Sequence, residues 1–212
     1  MLISFLIFLS LFAAIGLASA WQSRGTKADY YLASNSVPPW MVGLSAVATN
    51  NSGYMFIGVI GYTYTTGLAS IWLMLGWIAG DFLASLYVHS RLRQATERTG
   101  QVSYAGVLSQ WHGQSQGTLQ RLIGLISLVF LLTYAAAQLL AGGKAVHALL
   151  DAPIWLGIVA GAVLVGLYCI AGGIRASIWT DAAQSAVMML AMAILLGVAV
   201  VNLGGVSDAI KQ

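Results

Sequence analysis

Ser45-Ala46-Val47-Ala48-Thr49-Asn50-Asn51-Ser52-Gly53-Tyr54 lies in the middle of a segment, 39–66, whose flanks are apolar. A bilayer core of roughly 30 Å needs about 20 apolar residues in a helix, so this polar cluster falls at bilayer depth. Two adjacent asparagines and a nearby glycine are poor helix formers. They predict a membrane helix that is interrupted near Ala48 to Asn51, releasing backbone carbonyls from the helical ladder. Irregular backbone at that depth is tolerated only where it lines a cavity or is buried in protein. Carbonyl oxygens and half-helix ends suit a hard cation such as sodium. The alternative is that these side chains only bond neighbouring helices.

The rest of the chain agrees with a membrane setting. Of 212 residues, 59% are hydrophobic and 7% are charged, whereas a soluble domain carries about a quarter charged residues. The surface this composition makes must meet lipid. Further apolar runs cover about 2–21, 68–88, 122–149, 154–171 and 177–201, which with 39–66 makes about six transmembrane helices. Pro38-Pro39 open the second segment, Asp151-Ala152-Pro153 turns the chain after the fourth, and Gly172-Gly173 separates the fifth from the sixth. Leu17-Ala18-Ser19-Ala20 resembles a signal-peptidase site, but no positive residue precedes the first run, while Arg24 and Lys27 follow it.

Orientation follows from the basic residues. With the N-terminus outside, the cytoplasmic segments hold Arg24, Lys27, Arg91, Arg93, Arg98, Arg121 and Arg175, and the outer ones only Lys144 and Lys211. Seven against two is a positive-inside bias. The polar stretch Arg91 to Gln120 then reads as a cytoplasmic loop with one surface helix.

Other polar positions carry two readings each. Asp181 lies near the start of the sixth span, where it either caps that helix or lines an ion exit. Asp81 is an intramembrane carboxylate, a functional candidate by default, with bonding to a neighbouring helix as the plainer role. Tyr134 and Gln138 stand at i and i+4 and share a helix face, as interhelical bonds or as a cavity wall. His89, His112 and His147 lack metal-ligand spacing, and no phosphate loop or nucleophile elbow occurs, so nothing supports catalysis. The formal charge of +3 is small and scattered and gives no footprint for nucleic acid. Cys169 stands alone, which excludes a disulfide framework.

These residues resemble the sodium/solute symporters, especially the proline-transporter branch. The likeness runs through Asp29-Tyr30-Tyr31-Leu32-Ala33, then Leu44-Ser45-Ala46 into Ser52-Gly53-Tyr54 and Ile57-Gly58. It continues with Arg91-Leu92-Arg93, Tyr134 to Gly142, Gly172-Gly173, Ala176-Ser177 and Trp179-Thr180-Asp181-Ala182-Ala183-Gln184. Each piece is weak alone; in this order and spacing they are specific. The resemblance implies an all-α LeuT-type fold of two inverted five-helix repeats that alternate in access around a midplane site. This chain would supply a preliminary helix and the first repeat. Sodium, the coupling ion, would then bind backbone carbonyls of Ala48 and Asn51, with its other ligands in the absent second repeat. Substrate contacts would fall on Ser52, Tyr54 and Tyr134, with Asn50 and Gln138 beside them, and Asp181 matches an acidic residue of the cytoplasmic ion path. The proline branch has an acidic residue where this chain has Asn50, which leaves sugar, acetate, pantothenate or another amino acid open beside proline.

The expectation is therefore a multi-pass protein of the cell (inner) membrane with its N-terminus outside. It would act in sodium-coupled symport of a small organic solute, with sodium, the solute, the lipid bilayer and the missing second repeat as partners. Two rivals stay open: a symporter-like sensor module of a histidine kinase, and a truncated, non-transporting fragment.

Overall fold

Apolar runs without proline or charge fold as long helices, because a backbone in lipid must satisfy its own hydrogen bonds. The computed structural model describes residues 2–22, 24–51, 55–202 and 204, without the side chains of Phe56 and Ile57. All regular structure among the described residues is helical: α1 (Leu2–Ala18), α2 (Lys27–Leu32), α3 (Pro39–Asn50), α4 (Ile60–Thr66), α5 (Ile71–Thr99), α6 (Tyr104–Ser109), α7 (Gly117–Leu150) and α8 (Ile154–Asn202). Among the described residues, four stretches are long and apolar enough to cross a membrane: Leu2–Gln22, Ile60–Thr99, Gly117–Leu150 and Ile154–Asn202.

The last of these is 49 residues long, about 73 Å of helix, more than twice a bilayer core. Gly173, with φ 57° and ψ −142°, breaks it into limbs 154–172 and 174–202. Only glycine adopts that conformation without steric penalty, so the Gly172-Gly173 break expected from the sequence is present as a kink between two helical limbs. The second segment is divided as well. α3 starts with Pro39 at its first turn, ends at Asn50, and a wider helical turn, Met55–Val59, leads into α4.

α5 runs on to Thr99 instead of giving way to a loop near Arg91. Arginine, glutamine, alanine and glutamate are good helix formers, and Arg93 pairs with Glu97 one turn on at 3.1 Å. The helix stops at Gly100, in the left-handed conformation with φ 64°. The polar stretch also holds the short helix α6, with Gly106, Val107 and Ser109 buried and its first turn capped by Ser103, whose hydroxyl accepts a bond from Gly106 N–H.

The chain clusters into two compact units, Met1–Asn51 with Ala162–Gln212, and Ser52–Gly161. In the first, Gly16 lies against Tyr168 and Gly172 against Ser19, small residues that let helix backbones approach closely. In the second, Asp151 (φ 53°) ends α7, and the next helix returns along it through Gly143 and Gly157. A Cβ at Gly143 would stand 2.7 Å from the Ile154 carbonyl oxygen, and one at Gly157 would stand 2.9 Å from the Gly143 Cα.

Candidate functional site

α3 carries the polar cluster on a helix that stops inside it. Thr49 turns its hydroxyl back to the Ser45 carbonyl at 2.9 Å, a local bond that competes with the regular ladder. Asn51 closes the helix by donating its N–H to the Val47 carbonyl at 2.9 Å, with φ −90° and ψ 60°. The interruption expected near Ala48 to Asn51 therefore falls at Asn50 and Asn51. Ala48 and Asn51 are half-buried and Asn50 is exposed. Ser52 and Tyr54 lie outside the described residues.

One turn before that end, α3 is fastened to the second limb of α8. Ser45 is buried and donates its hydroxyl to Asp181 Oδ2 at 2.8 Å. Ser185, also buried, donates to the Leu44 carbonyl at 2.7 Å. Ser177 adds a longer bond to the same Asp181 oxygen, at 3.4 Å. Ser177, Asp181 and Ser185 recur every four residues, so they form one stripe along a helix face. Asp181 stands two turns beyond Gly173, well inside the limb 174–202. The capping role that the sequence left open for it is thereby corrected: it has no helix terminus to cap.

A second cluster sits before α3. Lys27–Leu32 is capped by Thr26, whose hydroxyl accepts from Asp29 N–H. Ala33, Ser34 and Asn35 then follow with φ near 50°, a conformation that costs about 1–2 kcal/mol per non-glycine residue. Such a turn persists only where its surroundings over-determine it. Arg175, just past the kink of α8, supplies that constraint. Its guanidinium meets Asp29 Oδ1 at 2.5 Å and also donates to the Ala33 carbonyl and the Ser36 hydroxyl. The Arg24 N–H and the Ser34 hydroxyl bond the Asp29 carboxylate too. Arg24 first, then Ser34 and the charge of Arg175, hold its pKa down at about 2.

Tyr134 and Gln138 share α7 in the other unit, Tyr134 exposed and Gln138 half-buried. Asp81 is exposed on α5 and makes no hydrogen bond among the described residues. Among those residues no His, Cys, Asp and Glu gather as a metal-binding group. Sequence reasoning missed Arg175 as the partner of Asp29, and missed Ser177 and Ser185. The four-residue spacing around Asp181 was a legible signal for the serines. Nothing local announced a pair 146 residues apart.

Residues 30–212 match the sodium:solute symporter family. The high-affinity proline transporter PutP of Bacillus subtilis (strain 168) is 31% identical over 196 residues, covering 91% of this chain and 41% of the relative. The sodium/proline symporter of Staphylococcus aureus (strain JH9) is 30% identical over 200 residues, 94% of this chain and 39% of the relative. The chain thus spans about two fifths of the length of these curated relatives. No solved structure matches it.

Proposed function

The chain belongs to the sodium:solute symporter family, and from that membership we propose that it supplies the first-repeat part of a sodium-coupled symporter for a small organic solute, such as proline or another amino acid. The relatives, named as proline transporters and sodium/proline symporters, support that substrate class. The proposed architecture is the LeuT type, with a second repeat from another segment or chain completing the site and moving against this one. The N-terminus faces outward in the cell (inner) membrane, in keeping with the basic residues in the short segments.

One observation carries the reading: α3 ends at Asn50, within an otherwise apolar segment, and is tied to α8 beside that end through Ser45 and Asp181. A helix C-terminus carries a partial negative charge from carbonyls that lack a following N–H. At bilayer depth these dipoles are little screened and favour a cation. In this proposal the carbonyls of Ala48 and Asn51 ligate sodium, and Asn50, Ser52, Tyr54, Tyr134 and Gln138 contact the solute. Asp181 accepts two serine hydroxyls, whereas a carboxylate offers about four acceptor positions. The remainder are free for sodium on its cytoplasmic path.

The test is uptake of labelled proline and a panel of amino acids by vesicles holding this chain together with a second-repeat polypeptide. Uptake that follows an inward sodium gradient and disappears when potassium replaces sodium supports the proposal. Uptake indifferent to sodium overturns the coupling, and no uptake of any panel member overturns the substrate class.

A further inference from the structure

Beyond the symport pathway, we propose that the end of α5 and the segment around α6 bind an anionic phospholipid, with its phosphate between Arg91 and Arg98 and its apolar part against Tyr87, Val88, Leu92 and Leu108. A 29-residue helix is about 43 Å long, so the C-terminal third of α5 extends past a bilayer core of roughly 30 Å. At 100° per residue, Arg91, Gln94 and Arg98 fall on one stripe of that third, while Arg93 and Glu97 lie on the opposite side. The stripe walls an open cavity of about 470 Å³ that Gln110 and Trp111 also line. A second cavity of about 220 Å³ adjoins it, lined by Tyr87, Val88, Leu92, Tyr104 and Leu108, and it shares Arg91 and Trp111 with the first.

The two cavities differ in chemistry in a way that matches one amphiphile. The first presents two guanidiniums and two side-chain amides. Glu97 is engaged by Arg93, and among the described residues neither Arg91 nor Arg98 pairs with a carboxylate. Guanidinium forks suit phosphate oxygens. The second cavity is apolar and aromatic, and Tyr87, Val88 and Tyr104 are each more than half exposed. Trp111 and Tyr104 are the amphipathic rings that favour the bilayer interface. The chain around Trp111 is held in place: its N–H bonds the Leu108 carbonyl and the Gln116 N–H bonds the Ser109 carbonyl. Charge complementarity and the shared wall favour an anionic headgroup with an attached acyl chain over a free anion, which would fill only the first cavity. A basic pocket beside a membrane helix is a recognised way to hold such headgroups.

The test uses the full chain in detergent micelles, offered equimolar dioleoylphosphatidylglycerol and dioleoylphosphatidylcholine, with bound lipid counted by native mass spectrometry. The glycerol lipid should be retained over the choline lipid by on the order of tenfold, as two nearby arginines imply. In the doubly substituted Arg91→Gln, Arg98→Gln protein the preference should vanish, while Arg93→Gln should keep it at unchanged helical content. Inorganic phosphate at millimolar concentration and fixed ionic strength should displace little of the lipid. Equal retention of both lipids, or a preference that survives the double substitution, overturns the site. Full displacement by phosphate overturns the lipid assignment in favour of a soluble anion.

Discussion

Arg175 and Asp29, 146 residues apart, meet at 2.5 Å with side chains only 7% and 2% exposed. The pair joins the short segment before α3 to the kink of α8, so it fixes the approach of the broken helix to its partner. Removing one member strands the other as a buried charge, which costs more than removing both. Asp29→Asn and Arg175→Gln should therefore each lower the thermal midpoint in detergent by several degrees, and the double variant should lose less than the two losses combined. Additive losses would show that the two groups do not interact.

Acid should act on the same pair. The Asp29 pKa is depressed to about 2, below the ordinary carboxylate value near 4. A depressed carboxylate contributes stability that is fully present above its unfolded value and is lost as pH falls through the folded one. The stability difference between the native chain and Asp29→Asn should hold from neutrality to about pH 4 and shrink between about pH 4 and pH 2. A difference that stayed constant down to pH 2 would contradict this origin.

Adjacent glycines on α7 should behave in opposite ways. A Cβ at Gly143 meets the Ile154 carbonyl at 2.7 Å and Ile158 at 2.8 Å, whereas one at Gly142 meets nothing within 4 Å. Gly143→Ala should cost about 1–3 kcal/mol, because backbone cannot yield as a side chain can. Gly142→Ala should be neutral, or stabilising by up to about 1 kcal/mol from helix propensity. Parallel denaturation of the two variants checks the contrast.

For Asp181 the informative change is to asparagine. Asn keeps a carbonyl acceptor for Ser45 and Ser177 but loses the charge. In the completed symporter, Asp181→Asn should insert and fold normally and slow sodium-driven uptake severalfold. Unchanged uptake kinetics would reduce Asp181 to an interhelical bond.

Asn51 should behave differently, since the proposed ligand is its carbonyl rather than its amide. Asn51→Ala retains that oxygen and should keep a measurable sodium dependence of uptake. Complete loss of sodium dependence at normal expression would make the side chain the ligand instead.

Membrane helices, the break at Gly172-Gly173 and the interruption near Asn50 were legible in the sequence because each has a local cause. Run length against bilayer thickness, glycine at positive φ and adjacent poor helix formers all act over a few residues. The extent of α5 was partly legible: its polar third reads as a loop by hydropathy, but helix propensity and the Arg93–Glu97 pair carry it to Thr99. Asp181 was singled out by its place near the start of the sixth span and by the family resemblance of the residues around it. Only tertiary structure set it inside a helix facing Ser45, paired Arg175 with Asp29, and gave Arg91 and Arg98 a shared cavity with Trp111. Which oxygen a carboxylate's donor comes from, or which arginine meets which acid, depends on helices brought together from distant parts of the chain. That register is fixed by close packing at small residues such as Gly16, Gly143 and Gly172, and no local propensity encodes it.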